Sequence, residues 1–241
     1  MVVVNDIKPI NVAVYSVKHF TMKELLELDG KRFDYKRYLG PAKDMTLRLD
    51  FSPKNQKKGG FKLASFGTAS QHVFNNTFDV CAKQSFYQKR TTTDTVGQDD
   101  AIEVTHNIPH DGVTQIRNLS MEISCLVWAR VLLDLVYKFI EKGITLHGEP
   151  PFHIPQMRFV DAALAVEHNM AESTDGRVFL VEEVIGGGEG RFRKYVNNVS
   201  AVPVPFGMGD DEERAQFLTF AQHVQYFKTK KLAFVSDYQG E

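Results

Sequence analysis

The chain has 241 residues, a formal net charge of −1, 43% hydrophobic and 24% charged residues, proportions that suit one large globular domain or two lobes. With Lys and Arg nearly balancing Asp and Glu, no global basic field exists to gather nucleic acid or anionic lipid, so neither nucleic acid nor membrane is expected as a partner. Met1 to Asp6 carries no basic leader and no apolar run long enough for secretion, so a cytoplasmic location is expected.

The first half reads as strands. Met45, Leu47, Leu49 and Phe51 alternate with polar residues up to Pro53, and Lys54 to Gly60 is a charged, Gly-closed turn. A second run, Phe61 to Gly67, leads through the polar stretch Thr68 to Asn76 into a third, Thr77 to Lys83. There Phe78, Val80 and Ala82 share one face and Lys83 takes the other. Cys81 in this run and Cys125 are the two cysteines, too few for a disulfide framework or a four-thiolate zinc site; both are expected to be buried thiols. Thr91 to Gly112 is polar and broken by Gly97, Pro109 and Gly112, which predicts a long loop with some extended character.

From about Leu119 to Lys142, Ile123, Val127, Val131, Leu135 and Phe139 recur every fourth residue, the pattern of a core helix that Gly143 should stop. Glu122, Arg130, Asp134 and Lys138 interrupt the apolar run and exclude a membrane span. Met157 to Glu167 and Arg177 to Glu183 are β-rich, with Asp175-Gly176 as a turn signal between them, and are expected to pair antiparallel. Beyond Glu183 glycines and prolines concentrate, which predicts a lobe boundary that divides the chain into 1–183 and 184–241. Asp210 to Glu213 then open a helix carrying Phe217, Phe220, Val224 and Phe227, with the acids at its positive end. A Lys turn leads from that helix into a hydrophobic strand, Lys231 to Asp237, closed by Asp237-Tyr238-Gln239-Gly240.

Two blocks in the second half stand in a fixed order. Val181-Glu182-Glu183-Val184-Ile185 precedes Gly190-Arg191-Phe192-Arg193-Lys194-Tyr195-Val196-Asn197-Asn198, and His223 precedes Asp237 by fourteen residues. This resembles the alpha-kinases, atypical serine/threonine protein kinases. In that family a hinge precedes a Phe-x-Lys-Tyr-x-Asn-Asn segment, and a helix His lies fourteen residues before an Asp-x-Gln-Gly turn. The resemblance implies an α+β, two-lobed, protein-kinase-like fold: a mostly antiparallel N-terminal sheet with one long helix, and an incomplete C-terminal lobe. It implies transfer of the γ-phosphate of ATP, with Mg2+, to Ser or Thr of a protein substrate. The family pattern continues past this turn with a magnesium-binding Asp, a Gly-rich loop and a zinc module, so loss of activity by truncation is an expectation. A pseudokinase acting as a nucleotide-binding or protein-interaction module is the alternative.

Each candidate residue has an ordinary reading beside the functional one. Lys83, on a rigid strand after a Gly-bearing turn, is placed to supply a cation to the α/β-phosphates; alone, a strand Lys is as readily a solvent-facing edge residue. Glu122 is expected to pair with Lys83, or else only to complement the helix dipole. Phe66-Gly67-Thr68-Ala69-Ser70 offers a backbone loop over the phosphates through Gly67, or an ordinary hairpin turn. By resemblance, Glu182, Glu183 and Val184 present backbone groups to an adenine edge; otherwise they are a solvated strand end. Gly186 to Gly190 lacks the phosphate-loop patterns and reads as a flexible turn. The resemblance gives Lys194 a γ-phosphate or substrate-side role, and Asn197 and Asn198 a structural or nucleotide-side one, against a basic strand ending in an Asn turn. It makes Asp237 the base or orienter of the substrate hydroxyl and sets Gln239 at the metal–phosphate region. His223 resembles the first of the family's zinc ligands, but without matching Cys or His partners it is expected to be a helix His holding no metal.

Overall fold

The computed structural model describes residues 7, 9–29, 34–74, 77–93, 102–168, 176–186, 192–199 and 202–240. The fold is mixed α+β and its residues fall into two compact units. Unit 1 comprises Met1–Val17, Tyr35–Ile123 and Asp161–Val184; unit 2 comprises Lys18–Asp34, Ser124–Val160 and Ile185–Glu241. The chain thus passes between units several times, where the sequence suggested a single boundary after Glu183.

Unit 1 is built on a closed antiparallel barrel. Strands β1 (Pro9–Val17), β2 (Leu39–Leu49), β4 (Lys62–Ala69), β5 (Asp79–Thr93), β7 (Ala162–Glu167) and β8 (Val178–Glu183) pair in the order β4-β2-β1-β7-β8-β5, and β5 pairs back onto β4. The short β3 (Lys57–Lys58) adds to β4 outside the ring, and β6 (Ile102–Pro109) to β5. Period-two alternation sends one side of every barrel strand inward. Ile10, Val12 and Val14 meet Leu47, Val80, Ala165, Phe179 and Val181 there, all buried. Closure removes the exposed sheet edges that an open sheet of this length would leave.

The expected antiparallel pairing of the two late runs is present, as β7 with β8 from Ala162↔Glu182 to Val166↔Val178. Asp175, half of the turn signal between them, lies outside the described residues, as do Gly187 to Gly190. Most of the described residues in the stretch from Thr91 to Gly112, read as a loop with some extended character, are strand: β5 continues to Thr93 and β6 pairs with it from Phe86↔Pro109 to Thr93↔Ile102. This arm has little buried surface, with Tyr87 and Val104 exposed, and its apolar alternation of Ile102, Val104 and Ile108 is interrupted by His106. Its β-branched content, Thr91 to Thr93 with Val104 and Thr105, was the available signal. β1 was not anticipated either, although Ile10, Val12 and Val14 alternate as a half-buried strand should.

The long helix α2 runs from Gly112 to His147, starting earlier than its apolar pattern and passing through Gly143. Asp111 caps it, its carboxylate accepting from the Thr114 amide (3.0 Å) and hydroxyl (2.8 Å). A helical Gly costs about 1 kcal/mol, which the surrounding turns absorb. The stop comes at Gly148, in the left-handed region at φ 85°, whose amide bonds the Ile144 carbonyl (2.8 Å). In unit 2, α3 (Asp210–Lys228) packs Ala215, Leu218, Ala221 and Val224 against Leu133, Val136, Tyr195, Val196 and Tyr238. The short α1 (Met22–Asp29) opens on a Thr21–Glu24 capping box. Among the described residues no helix is long and apolar enough to cross a membrane.

Candidate functional site

On β5 the inward turn of Val80 and Ala82 places Cys81, Lys83 and Ser85 on the outer face of the barrel. Register then selects their neighbours: Lys62 stands opposite Ser85 and Ala64 opposite Lys83 on β4, and Glu182 stands opposite Cys81 on β8. The first turns of α2 are fixed to this face by Gln115, which is fully buried. Its side-chain oxygen accepts from the Ser85 amide (2.9 Å) and hydroxyl (3.0 Å), and its amide donates to the Ser85 carbonyl (2.7 Å). Asn118 donates to the Ser85 hydroxyl (3.0 Å), and Glu122, two helical turns beyond Gln115, reaches Lys62.

The expected Lys83–Glu122 pair is therefore not formed. Lys83 donates to Glu182 and Lys62 to Glu122. The reason is register: Glu182 lies one strand from Lys83, whereas Glu122 meets the ammonium on β4. Burial of Lys83 works to lower its pKa, but the attraction and hydrogen bond of Glu182, helped by Cys81 and Glu122, outweigh it and the pKa is raised. The Cys81 thiol, buried among these charges, is pushed up to about 11, chiefly by burial. Cys125, expected to be buried like Cys81, is exposed.

Gly67 is no loop residue. It lies inside β4, paired with Leu49 on one side and Val80 on the other. A Cβ there would sit 2.0 Å from the Arg48 carbonyl oxygen. The group that comes this close is the backbone of strand β2. In the hinge-like block Glu182 is committed to Lys83, and Glu183 clasps Asp161. Its amide donates to the Asp161 carbonyl (3.1 Å), and its carboxylate accepts from the Asp161 amide (2.8 Å). Val184 follows the last paired residue of β8.

In unit 2 the expected strand Lys231 to Asp237 is absent. Lys230 and Lys231 both take left-handed backbone angles, φ 54° and 71°, and the chain that follows is held by side chains of α3. Gln225 Oε1 accepts from the Val235 amide (2.8 Å), and Gln225 Nε2 donates to the Tyr238 hydroxyl (3.1 Å); Gln222 Nε2 donates to the Val235 carbonyl (2.8 Å). Asp237 sits between these supports at φ 60°, a costly conformation for a residue with a side chain and one kept only where the surroundings enforce it. Beyond it, β10 (Gln239–Gly240) pairs with β9 (Arg193–Lys194), with Gln239 opposite Lys194. The Tyr195 amide bonds the Tyr238 carbonyl (2.9 Å).

The result brings Lys194 Nζ to 2.6 Å from Asp237 Oδ1, each side chain 44% exposed. Lys194, Asp237 and Gln239, singled out separately in the sequence, thus share one small platform. Tyr195 anchors it from beneath, donating to Asp211 Oδ1 (3.0 Å) in the first turn of α3, where Arg214 also donates (3.0 Å). Burial pushes the Tyr238 phenol up to about 12. Asn198 is exposed in a turn after Val196, and His223 points outward from α3. Among the described residues no three His, Cys, Asp or Glu converge as a metal cluster would require.

The alpha-kinase family model matches residues 126–241. No curated protein matches the chain. Among solved structures, an alpha-kinase from Entamoeba histolytica matches with a TM-score of 0.56 at 13% identity, over 97% of this chain and 72% of that one. The apoenzyme alpha-kinase domain of myosin-II heavy chain kinase A matches with a TM-score of 0.50 at 12% identity, over 97% and 79%. At these identities the likeness is one of fold.

Proposed function

We propose, on the match of residues 126–241 to the alpha-kinase family model, that the chain is an ATP-dependent protein kinase of that type, acting on Ser or Thr hydroxyls. The observation that carries this reading is the platform of Lys194, Asp237 and Gln239, held in a strained turn at the interval the family resemblance requires. Asp237 is the proton acceptor. As the substrate hydroxyl oxygen bonds the γ-phosphorus and the bond to the β,γ-bridging oxygen breaks, the hydroxyl proton passes to its carboxylate and ADP leaves. Lys194, ion-paired with Asp237, fixes that carboxylate and is the cation on the substrate side. Lys83 holds the α/β-phosphates, its own position set by Glu182. The Glu182 and Glu183 backbone is engaged in the sheet and with Asp161, so the adenine edge falls to the backbone of Val184, past the last paired residue of β8, and Asn198 lies on the nucleotide side.

Such transfers employ Mg2+, which spreads the negative charge of the phosphates. Asp237 and Gln239 offer oxygens on one turn that would help hold it, and among the described residues no three His, Cys, Asp or Glu converge there. Titration of a fluorescent ATP analogue against the wild type and Lys83→Ala tests the nucleotide half of the reading. Loss of one charge-assisted phosphate contact is expected to weaken binding about tenfold or more; equal affinity removes Lys83 from the site.

A further inference from the structure

The sheet of unit 1 ends in β3 on one side and β6 on the other, and the two ends differ. β3 is Lys57 and Lys58 alone, a short charged edge of the kind that turns other strands away. β6 runs from Ile102 to Pro109 with no Lys or Arg in it. From Tyr87 to Thr93 its neighbour β5 pairs, among the described residues, with β6 alone. This part is a two-stranded ribbon, an arrangement that is marginal in water by itself.

What the ribbon offers follows from the phase of its hydrogen bonds. The His110 amide donates to the Ser85 carbonyl (3.1 Å), so these two residues form a hydrogen-bonded pair and the ladder alternates from there. Val104, His106 and Ile108 turn their backbone groups toward β5, in accord with the bond from the Thr91 hydroxyl to the Val104 carbonyl (3.3 Å). Glu103, Thr105 and Asn107 turn theirs away, and among the described residues no strand lies on that side.

We propose that this edge is a self-association site, where β6 pairs antiparallel with β6 of a second copy of the chain about a two-fold axis at Thr105. In that register Thr105 stands opposite the partner's Thr105 and Glu103 opposite the partner's Asn107, so every outward N–H of these residues meets a carbonyl. Between them Val104 stands opposite the partner's His106. Sliding one pair toward Pro109 would set His106 against the partner's His106 and ask Pro109 for an N–H that it lacks. Sliding the other way would leave Asn107 past the end of the partner's β6. The edge therefore fits its own copy in one register, with no like charges opposed. The site uses no residue of the nucleotide or transfer reading and stands whether or not the chain transfers phosphate.

The test is the mass of the full chain in sedimentation equilibrium from about 1 to about 300 μM, the range in which small interfaces associate. The wild type should move from 27.3 kDa toward twice that value. Thr105 is exposed, so its substitution leaves the fold in place. Thr105→Lys and Thr105→Glu should each stay monomeric, because like charges then meet on the two-fold axis, and a mixture of the two should dimerise. Thr105→Pro removes an N–H that does not serve β5 and should weaken dimerisation about tenfold or more. A wild type that is monomeric throughout overturns the proposal. So does a dimer that neither charged variant weakens, or a pair of charged variants that fail to rescue each other.

Discussion

Glu182 rather than Glu122 is the carboxylate that holds Lys83, and the difference shows what a sequence can carry at the scale of one residue. Lys83 was recognisable from its strand and its face. Its partner depended on β8 returning beside β5 with Glu182 opposite Cys81, a register that no local pattern encodes. Gln225 is a stronger case. Nothing in α3 marks it out, since a Gln between Val224 and Tyr226 reads as an ordinary helix residue, yet it is fully buried and its amide spans both sides of Asp237. Gln225→Leu leaves the Val235 amide and Tyr238 hydroxyl unpaired, at a cost of about 1–3 kcal/mol. We expect a lower unfolding free energy by denaturation, and a phosphoryl-transfer rate that falls while ATP affinity holds. A fall in ATP affinity instead would mean that Gln225 supports more than the Asp237 turn.

At the scale of the element, the pairing of β7 with β8 was legible because each run is β-rich and bounded, whereas the arm of β5 and β6 was not, because among its described residues none beyond Phe86 is buried. Gly67 shows the ambiguity of a strand glycine: close backbone approach was expected toward phosphates, but the approaching group is strand β2. Gly67→Ala is expected to destabilise the chain by about 3 kcal/mol or more, because the clash is with backbone and cannot be relieved by a side chain. A cost under about 0.5 kcal/mol, the range of neutral surface changes, would show that the barrel bends elsewhere.

The β7–β8 hairpin also carries a pH-dependent staple, Glu167 accepting from Arg177 Nη2 (2.8 Å), Nε (3.1 Å) and its amide (2.9 Å). The Arg177 side-chain hydrogen bonds, countered in part by burial, hold the Glu167 carboxyl below its ordinary 4.5. Its stabilisation is therefore complete above that value and lost as the pH falls through the folded one. Glu167→Gln should cost about 0.5–1 kcal/mol at pH 7, an allowance for the exposure of Arg177, and the gap from wild type should close in acid. A gap that persists undiminished below the folded value would exclude the ionised carboxylate as its source.

At the scale of the whole molecule, the second half of the chain announces a family through two ordered blocks, and the fold agrees with it over nearly its full length. The α+β class and the long helix were both readable. The closure of the barrel was not, since it arises from a pairing between β4 and β5 that adds to an otherwise linear strand order. The proposed activity rests on the platform of Lys194, Asp237 and Gln239. Its most direct measurement is transfer of radiolabelled γ-phosphate from ATP and Mg2+ to a basic protein substrate, with Asp237→Ala as control. The account predicts label on Ser or Thr of the substrate with the wild type and a loss of about 100-fold or more with the variant, as for removal of a positioned acid–base group. Nucleotide binding without transfer, or transfer that Asp237→Ala leaves unchanged, would contradict it.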